Sequence, residues 1–106
     1  MKNELVILKV TYPDLERAKN FAEILLQKKL AACVQFTPIE SMYFWRGKIE
    51  NNHEILLSIK TKNSLLKSIE KIIKKHHDYE IPQMLSIQVD QGSKPYLNWI
   101  NSCLKK

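Results

Sequence analysis

The sequence predicts an α+β fold of the ferredoxin-like kind, in the order β-α-β-β-α-β, followed by an extra C-terminal helix. Three observations lead to it. Two stretches with helical apolar spacing, at 18–30 and 65–76, each lie between runs rich in β-branched and aromatic residues. The two halves echo each other as strand-helix-strand. At 106 residues the chain has the size of one domain, taken as 1–106.

The first strand is Leu5-Val6-Ile7-Leu8-Lys9-Val10, a short β-branched run. Thr11-Tyr12-Pro13-Asp14 breaks it, and Pro13 and Asp14 suit the first turn of a helix. Ala18, Phe21, Ala22, Leu25, Leu26 and Leu30 then form one buried stripe. From Ala31 to Trp45 the period shortens toward two, interrupted by Pro38, which demands a sheet edge or a bulge. Arg46-Gly47-Lys48 reads as a turn and Glu54 to Lys60 as the returning strand. A straight strand from Cys33 to Arg46 would reach about 45 Å, against about 35 Å for a domain of this size. The hairpin therefore bends at Pro38 or projects. A projecting hairpin carrying Met42, Tyr43, Phe44, Trp45 and Ile49 needs a second chain to cover it, so an oligomer is expected.

Asn63 or Ser64 can cap a second helix, with Leu65, Leu66, Ile69, Ile72, Ile73 and His76 on one face. Met84 to Val89 is the fourth strand. Gln91 to Pro95 is a turn, and Tyr96, Trp99, Ile100 and Cys103 have the spacing of a short last helix.

Composition removes several function classes. Apolar residues are 44% and charged residues 26%, with 2 Gly and 4 Pro, so disordered and collagen-like chains are excluded. The longest apolar run, Leu30 to Val34, has five residues, far short of the roughly 20 that span a bilayer. No membrane association is expected. Met1-Lys2-Asn3-Glu4 leads into only four apolar residues, too few for a secretory signal. The two cysteines, Cys33 and Cys103, cannot frame a disulfide scaffold, so a cytoplasmic protein with reduced thiols is expected. Lys60 to Lys75 holds six lysines and one acid, most of the net +6. That stretch reads as a solvated helix face, and nucleic acid is not expected as a partner because Ile55 to Lys60 lacks an aromatic stacking platform.

His76-His77, followed by Asp78, Tyr79 and Glu80, is the densest ligand-competent cluster. Imidazole suits copper, zinc and nickel, and a nearby carboxylate can ligate or orient it. The alternative is that His76 closes the apolar stripe and His77 caps the last helical carbonyls. Cys33, in Ala31-Ala32-Cys33-Val34, reads as a small buried hydrophobe. Tyr43 and Trp45 share a strand face and suit packing against a neighbouring subunit. The loop after the first strand has no glycine and no arginine, so it offers no phosphate cradle. No catalytic constellation is present, and no enzymatic activity is expected.

Several segments together resemble one family: Pro13-Asp14, Leu30-Ala31-Ala32-Cys33-Val34, Tyr43-x-Trp45-x-Gly47-Lys48-x-Glu50, Ile59-Lys60-Thr61, His77-x-Tyr79-Glu80-x-Pro82 and Tyr96-Leu97-x-Trp99. Their number, order and spacing resemble the CutA family of divalent-cation tolerance proteins, from about Val6 to Trp99. The resemblance implies a homotrimer joined through the long hairpins, similar in architecture to the PII signalling proteins. It implies copper or another divalent metal ion as ligand, with His76 and His77 as the metal residues, and no obligatory cofactor. The bacterial pattern adds a cysteine near the end of the first strand, where this chain has Val10-Thr11-Tyr12. Asp78 stands where the family usually has proline, and Gln83 where it usually has glutamate. The resemblance also implies an inter-subunit ligand cleft formed by Cys33, Trp45, Lys60, Tyr79 and Glu80. The function expected is therefore a divalent-cation tolerance trimer. The alternative is a PII-like signalling trimer that binds a small ligand or a partner protein at its clefts.

Overall fold

A computed structural model describes residues 4–106. The elements run β1 (Leu5–Tyr12), α1 (Leu15–Gln27), β2 (Cys33–Trp45), β3 (Lys48–Lys62), a 3-10 turn (Asn63–Leu65), α2 (Leu66–His76), β4 (Leu85–Gln88) and α3 (Lys94–Cys103). The four strands form one antiparallel sheet in the order β2-β3-β1-β4. This is the ferredoxin-like arrangement with the extra terminal helix that the sequence predicts.

One sheet face carries the core. Leu8 and Val10 of β1 and Leu57 and Ile59 of β3 are fully buried beneath Ala18, Phe21, Ala22 and Leu25 of α1 and Ile69 and Ile73 of α2. Strand alternation puts Ile7, Leu56, Ser58, Lys60, Leu85 and Ile87 on the opposite face. Lys9 lies there too, donating from Nζ to Ser58 Oγ at 2.8 Å. Leu85 and Ile87 are exposed.

Helix boundaries depart from expectation where backbone hydrogen bonding decides. Asp14 is the N-cap of α1, its carboxylate accepting from the Arg17 N–H at 2.8 Å, and Pro13 lies before the helix. The helix ends at Gln27, three residues before the stripe does. Lys29 takes a left-handed backbone (φ 58), and the Leu30 N–H reaches back to the Leu25 carbonyl at 2.9 Å. Leu30 thus enters the core from a Schellman-type stop.

Neither Asn63 nor Ser64 caps α2 through its side chain; the 3-10 turn leads into it instead, with Asn63 N–H bonded to the Glu4 carbonyl at 2.8 Å. His76, expected on the buried stripe, is exposed. The stripe advances in steps of four, Leu65-Ile69-Ile73, and its next member is His77.

The hairpin is longer than predicted, because β3 begins at Lys48 rather than Glu54. β2 pairs with β3 in unbroken register from Cys33↔Lys60 to Trp45↔Lys48, with Pro38 opposite Ile55. Pro38 is tolerated because β2 is an edge strand. Arg46 (φ 51) and Gly47 (φ 78) close the hairpin with left-handed backbone at both positions, the geometry that matches strand twist. Projection is the outcome: the subunit measures 45 × 25 × 22 Å. Met42 and Phe44, 71% and 78% exposed, and Ile49 at 65% line one side of the projecting part.

β4 is a four-residue exposed edge, shorter than Met84 to Val89. In α3, Ile100 is buried and Leu97 packs against the core, while Tyr96 and Trp99 stack on each other outside. Gly92 admits this packing, since a Cβ there would lie 2.8 Å from Leu97 Cδ2.

Candidate functional site

The chain leaving α2 carries most of the ligand-competent residues, and His77 anchors it. Its backbone N–H caps the helix on the Ile73 carbonyl at 2.9 Å. The Tyr79 N–H donates to His77 Nδ1 at 3.0 Å, so Nδ1 is unprotonated and Nε2–H donates to the Thr11 carbonyl at 2.6 Å. The ring also stacks on Tyr12 with centroids 4.1 Å apart. Both nitrogens of His77 are therefore engaged in joining the end of β1 to the segment after α2. As placed, its ring offers a metal no lone pair.

His76, one residue earlier, points elsewhere. It lines a small pocket of about 190 Å³ with Tyr12, Arg17, Asn20 and Asp78. Arg17 Nε lies 3.0 Å from Asp78 Oδ2, and the same guanidinium bonds the Asp14 carboxylate, tying α1 to this segment. The Asp14 carboxyl is held below its ordinary range, first by the backbone N–H of Arg17 and further by the Arg17 charge.

Tyr12 reaches the same pocket from β1, is 2% exposed, and its hydroxyl finds no hydrogen-bond partner among the described residues. Burial, and then the negative charge of Asp78, push its phenol well above the usual range. A raised phenol pKa favours the folded state while the group stays protonated. Stability is intact below about pH 10, the ordinary phenol value, and falls as pH rises beyond it because the unfolded chain ionises first. Tyr12→Phe is expected to stabilise the fold by about 1 kcal/mol at neutral pH and to reduce the alkaline loss. Thermal melts between pH 7 and 11 check this; an unchanged or lower melting temperature at pH 7 contradicts it.

On the other side of the segment lies a groove of about 600 Å³ between it and the hairpin. Tyr79 spans its floor, donating from its hydroxyl to Glu54 Oε2 at 2.8 Å. Burial and then that carboxylate raise the Tyr79 phenol as well. At the rim Arg46 lies 5.4 Å over the Trp45 ring, with Nη2 3.0 Å from Glu80 Oε1. Strand alternation places Tyr43, Trp45, Glu50 and Glu54 on one hairpin face, opposite the face of Met42, Phe44 and Ile49.

The five cleft residues thus separate into two groups within a subunit. Trp45, Tyr79 and Glu80 line the groove. Cys33 and Lys60 pair at the far end of the β2–β3 ladder, about 40 Å away along the strand. Lys60 Nζ donates to the Tyr96 hydroxyl at 2.8 Å and lies over that ring, and no carboxylate among the described residues pairs with it. Cys33 is half-buried and its thiol is free. Among the described residues, no group of three or more His, Cys, Asp or Glu side chains is arranged to hold a metal ion.

Glu54, Glu50, Arg46 and Tyr96 belong to these sites and escaped the sequence reading. A signal existed for two of them: Glu50 and Glu54 have the period-two spacing that puts both beside Tyr43 and Trp45 once the turn is fixed at Arg46-Gly47.

Comparison with known proteins gives one consistent result. The family model described as CutA1 divalent ion tolerance protein matches residues 6–103. The chain is 40% identical over 103 residues to the divalent-cation tolerance protein CutA of Yersinia pestis, covering 96% of this chain and 86% of that protein. It is 39% identical over 98 residues to the chloroplastic protein CutA of Arabidopsis thaliana, covering 92% of this chain and 54% of that one. It spans about half the length of the curated animal and plant relatives that it matches. The solved structure of the periplasmic divalent cation tolerance protein CutA from Archaeoglobus fulgidus superposes with a TM-score of 0.92 at 36% identity, covering 95% of this chain and 99% of that one. Among the described residues no helix is long and apolar enough to cross a membrane.

Proposed function

Because this chain belongs to the CutA1 divalent ion tolerance family, we propose that it serves divalent-cation tolerance as a homotrimer that binds a divalent metal ion weakly. The trimer reading is supported by the uncovered apolar surface of the hairpin and by Leu85 and Ile87 on the helix-free sheet face. The observation that carries the metal reading is that His76 and Asp78 line one pocket at the end of α2. An imidazole with a carboxylate suits Cu(II) or Zn(II). His77 is the second histidine of the family pattern, and here it positions the segment that presents His76 and Asp78. A metal that takes Asp78 displaces Arg17, which keeps affinity modest. With no thiol at the end of β1, Cu(I) has no soft ligand there. The two free cysteines suit the cytoplasm as the compartment, although the relatives above are described as chloroplastic and periplasmic.

Calorimetric titration of the assembled protein with Cu(II) and Zn(II) tests the metal reading. Saturable binding is expected, lost in His76→Ala. Absent binding, or binding unchanged in that variant, overturns it.

A second reading is favoured by one observation. Cys33 and Lys60 lie on the same sheet face as Trp45 at the opposite end of the ladder, so a neighbouring copy can bring the two halves of the cleft together. Such a cleft would take a small ligand or a partner protein in a PII-like signalling role.

A further inference from the structure

The Tyr12 hydroxyl is buried without a protein partner. Its residue is 2% exposed, and its oxygen makes no hydrogen bond among the described residues. Phe21 packs on the ring with centroids 5.2 Å apart, and His77 stacks on it at 4.1 Å. Held by those two rings, the phenol cannot swing its hydroxyl out to water. Buried hydroxyls in folded proteins are ordinarily matched by a polar group or an ion.

The surroundings of that oxygen favour a cation. Tyr12 lines the helix-side pocket of about 190 Å³ together with His76 and Asp78, a space below that of ordinary organic-ligand sites and ample for one ion. Burial and then the charge of Asp78 raise its phenol, which places that carboxylate close by. A cation drawn to Asp78 reverses the sign of that influence and favours the phenolate. His76 and Asp78 supply two ligands, and among the described residues no third His, Cys, Asp or Glu joins them. The third protein donor must therefore be of another kind. Imidazole, carboxylate and phenolate are nitrogen and oxygen donors that suit Cu(II), and none is soft enough to favour Cu(I).

We propose that Tyr12 is the third protein ligand of a Cu(II) ion held by His76 and Asp78, its oxygen bound as the phenolate. The proposal rests on the metal reading of the same pocket given above. On binding, the O–H bond breaks, the proton goes to solvent, and an oxygen lone pair forms the bond to copper, which stays Cu(II) throughout. Asp78 leaves Arg17, whose guanidinium keeps the Asp14 carboxylate.

Cu(II) titration of the assembled full chain tests it, followed by visible absorption and by calorimetry in two buffers of different ionisation enthalpy. Tyr12→Phe and His76→Ala are titrated beside the parent. A phenolate-to-copper charge-transfer band is expected in the parent and absent from Tyr12→Phe. That variant should bind copper about tenfold or more weaker and release about one proton fewer per copper bound. It loses only the hydroxyl, so the fold is retained. Binding that His76→Ala abolishes but that gives no such band, or a band and affinity that Tyr12→Phe keeps, overturns the role of Tyr12 and leaves the metal reading standing. No saturable Cu(II) binding by the parent overturns both.

Discussion

A Phe44→Asp, Ile49→Asp double variant is expected to sediment as a monomer at micromolar concentration, where the unaltered protein is expected to sediment as the proposed trimer. The two side chains face each other across the hairpin and are exposed in the subunit, so their loss leaves the subunit core intact. Burying a large apolar side chain contributes about 1.5–3 kcal/mol, and a trimer would bury six of these, roughly 10 kcal/mol or more in all. Placing carboxylates there instead adds a desolvation cost for each charge. Circular dichroism of the variant should retain the sheet and helix signal, which separates disassembly from unfolding. If the variant still sediments as a trimer, this side of the hairpin is not the interface, and the assembly must be held by the helix-free face alone.

The two adjacent histidines are expected to respond in opposite ways to alanine substitution. His77→Ala removes the donor to the Thr11 carbonyl, the acceptor of the Tyr79 N–H and the stack on Tyr12. Leaving partly buried groups without partners costs about 1–3 kcal/mol each, and an aromatic stack adds roughly 0.5–1.5 kcal/mol. A loss of about 2–4 kcal/mol follows, read by denaturant unfolding. Faster hydrogen exchange at the Tyr79 amide should accompany it. His76→Ala, at an exposed position, should stay within about 0.5 kcal/mol of the parent while abolishing metal binding. Equal destabilisation by both, or loss of metal binding from His77→Ala without loss of stability, would reverse the roles assigned to the pair.

The contrast between these neighbours also marks the limit of what the sequence disclosed. Apolar periodicity was enough for the order of elements, because that depends on which residues avoid water; the missing N–H of Pro38 narrowed its place to an edge or a bulge, and strand length left a bend or a projection open. The helical face alone placed His76 among the apolar residues, since a period of 3.6 admits a step of three as readily as a step of four. Only the seating of the helix on the sheet shows that the buried line is Leu65-Ile69-Ile73, which leads to His77, while Ile72 at its edge leads to the exposed His76. Glu54 was hidden for a related reason: a strand start drawn at a charged residue looked natural, whereas the ladder continues outward for six more residues from Glu54 to Lys48. The cap of α2 was misplaced because Asn63 spends its backbone N–H on Glu4 in a 3-10 turn. The separation of Lys60 from Glu80 within a subunit follows from hairpin length, which local composition does not specify.

The turn at Arg46-Gly47 also governs how this protein can change over generations. Every residue of β2 and β3 keeps its side by counting from that turn, so a residue gained in one strand alone turns over everything beyond it or forces a bulge. The tolerated way to lengthen or shorten the arm is at its tip, two residues from each strand at a time, because opposite pairs alternate between hydrogen-bonded and unbonded ones and the two-residue turn closes on a bonded pair. Insertions and deletions in descendants of this sequence should therefore come in matched pairs beside Gly47, and the reach of the arm should vary while the order of its two faces does not.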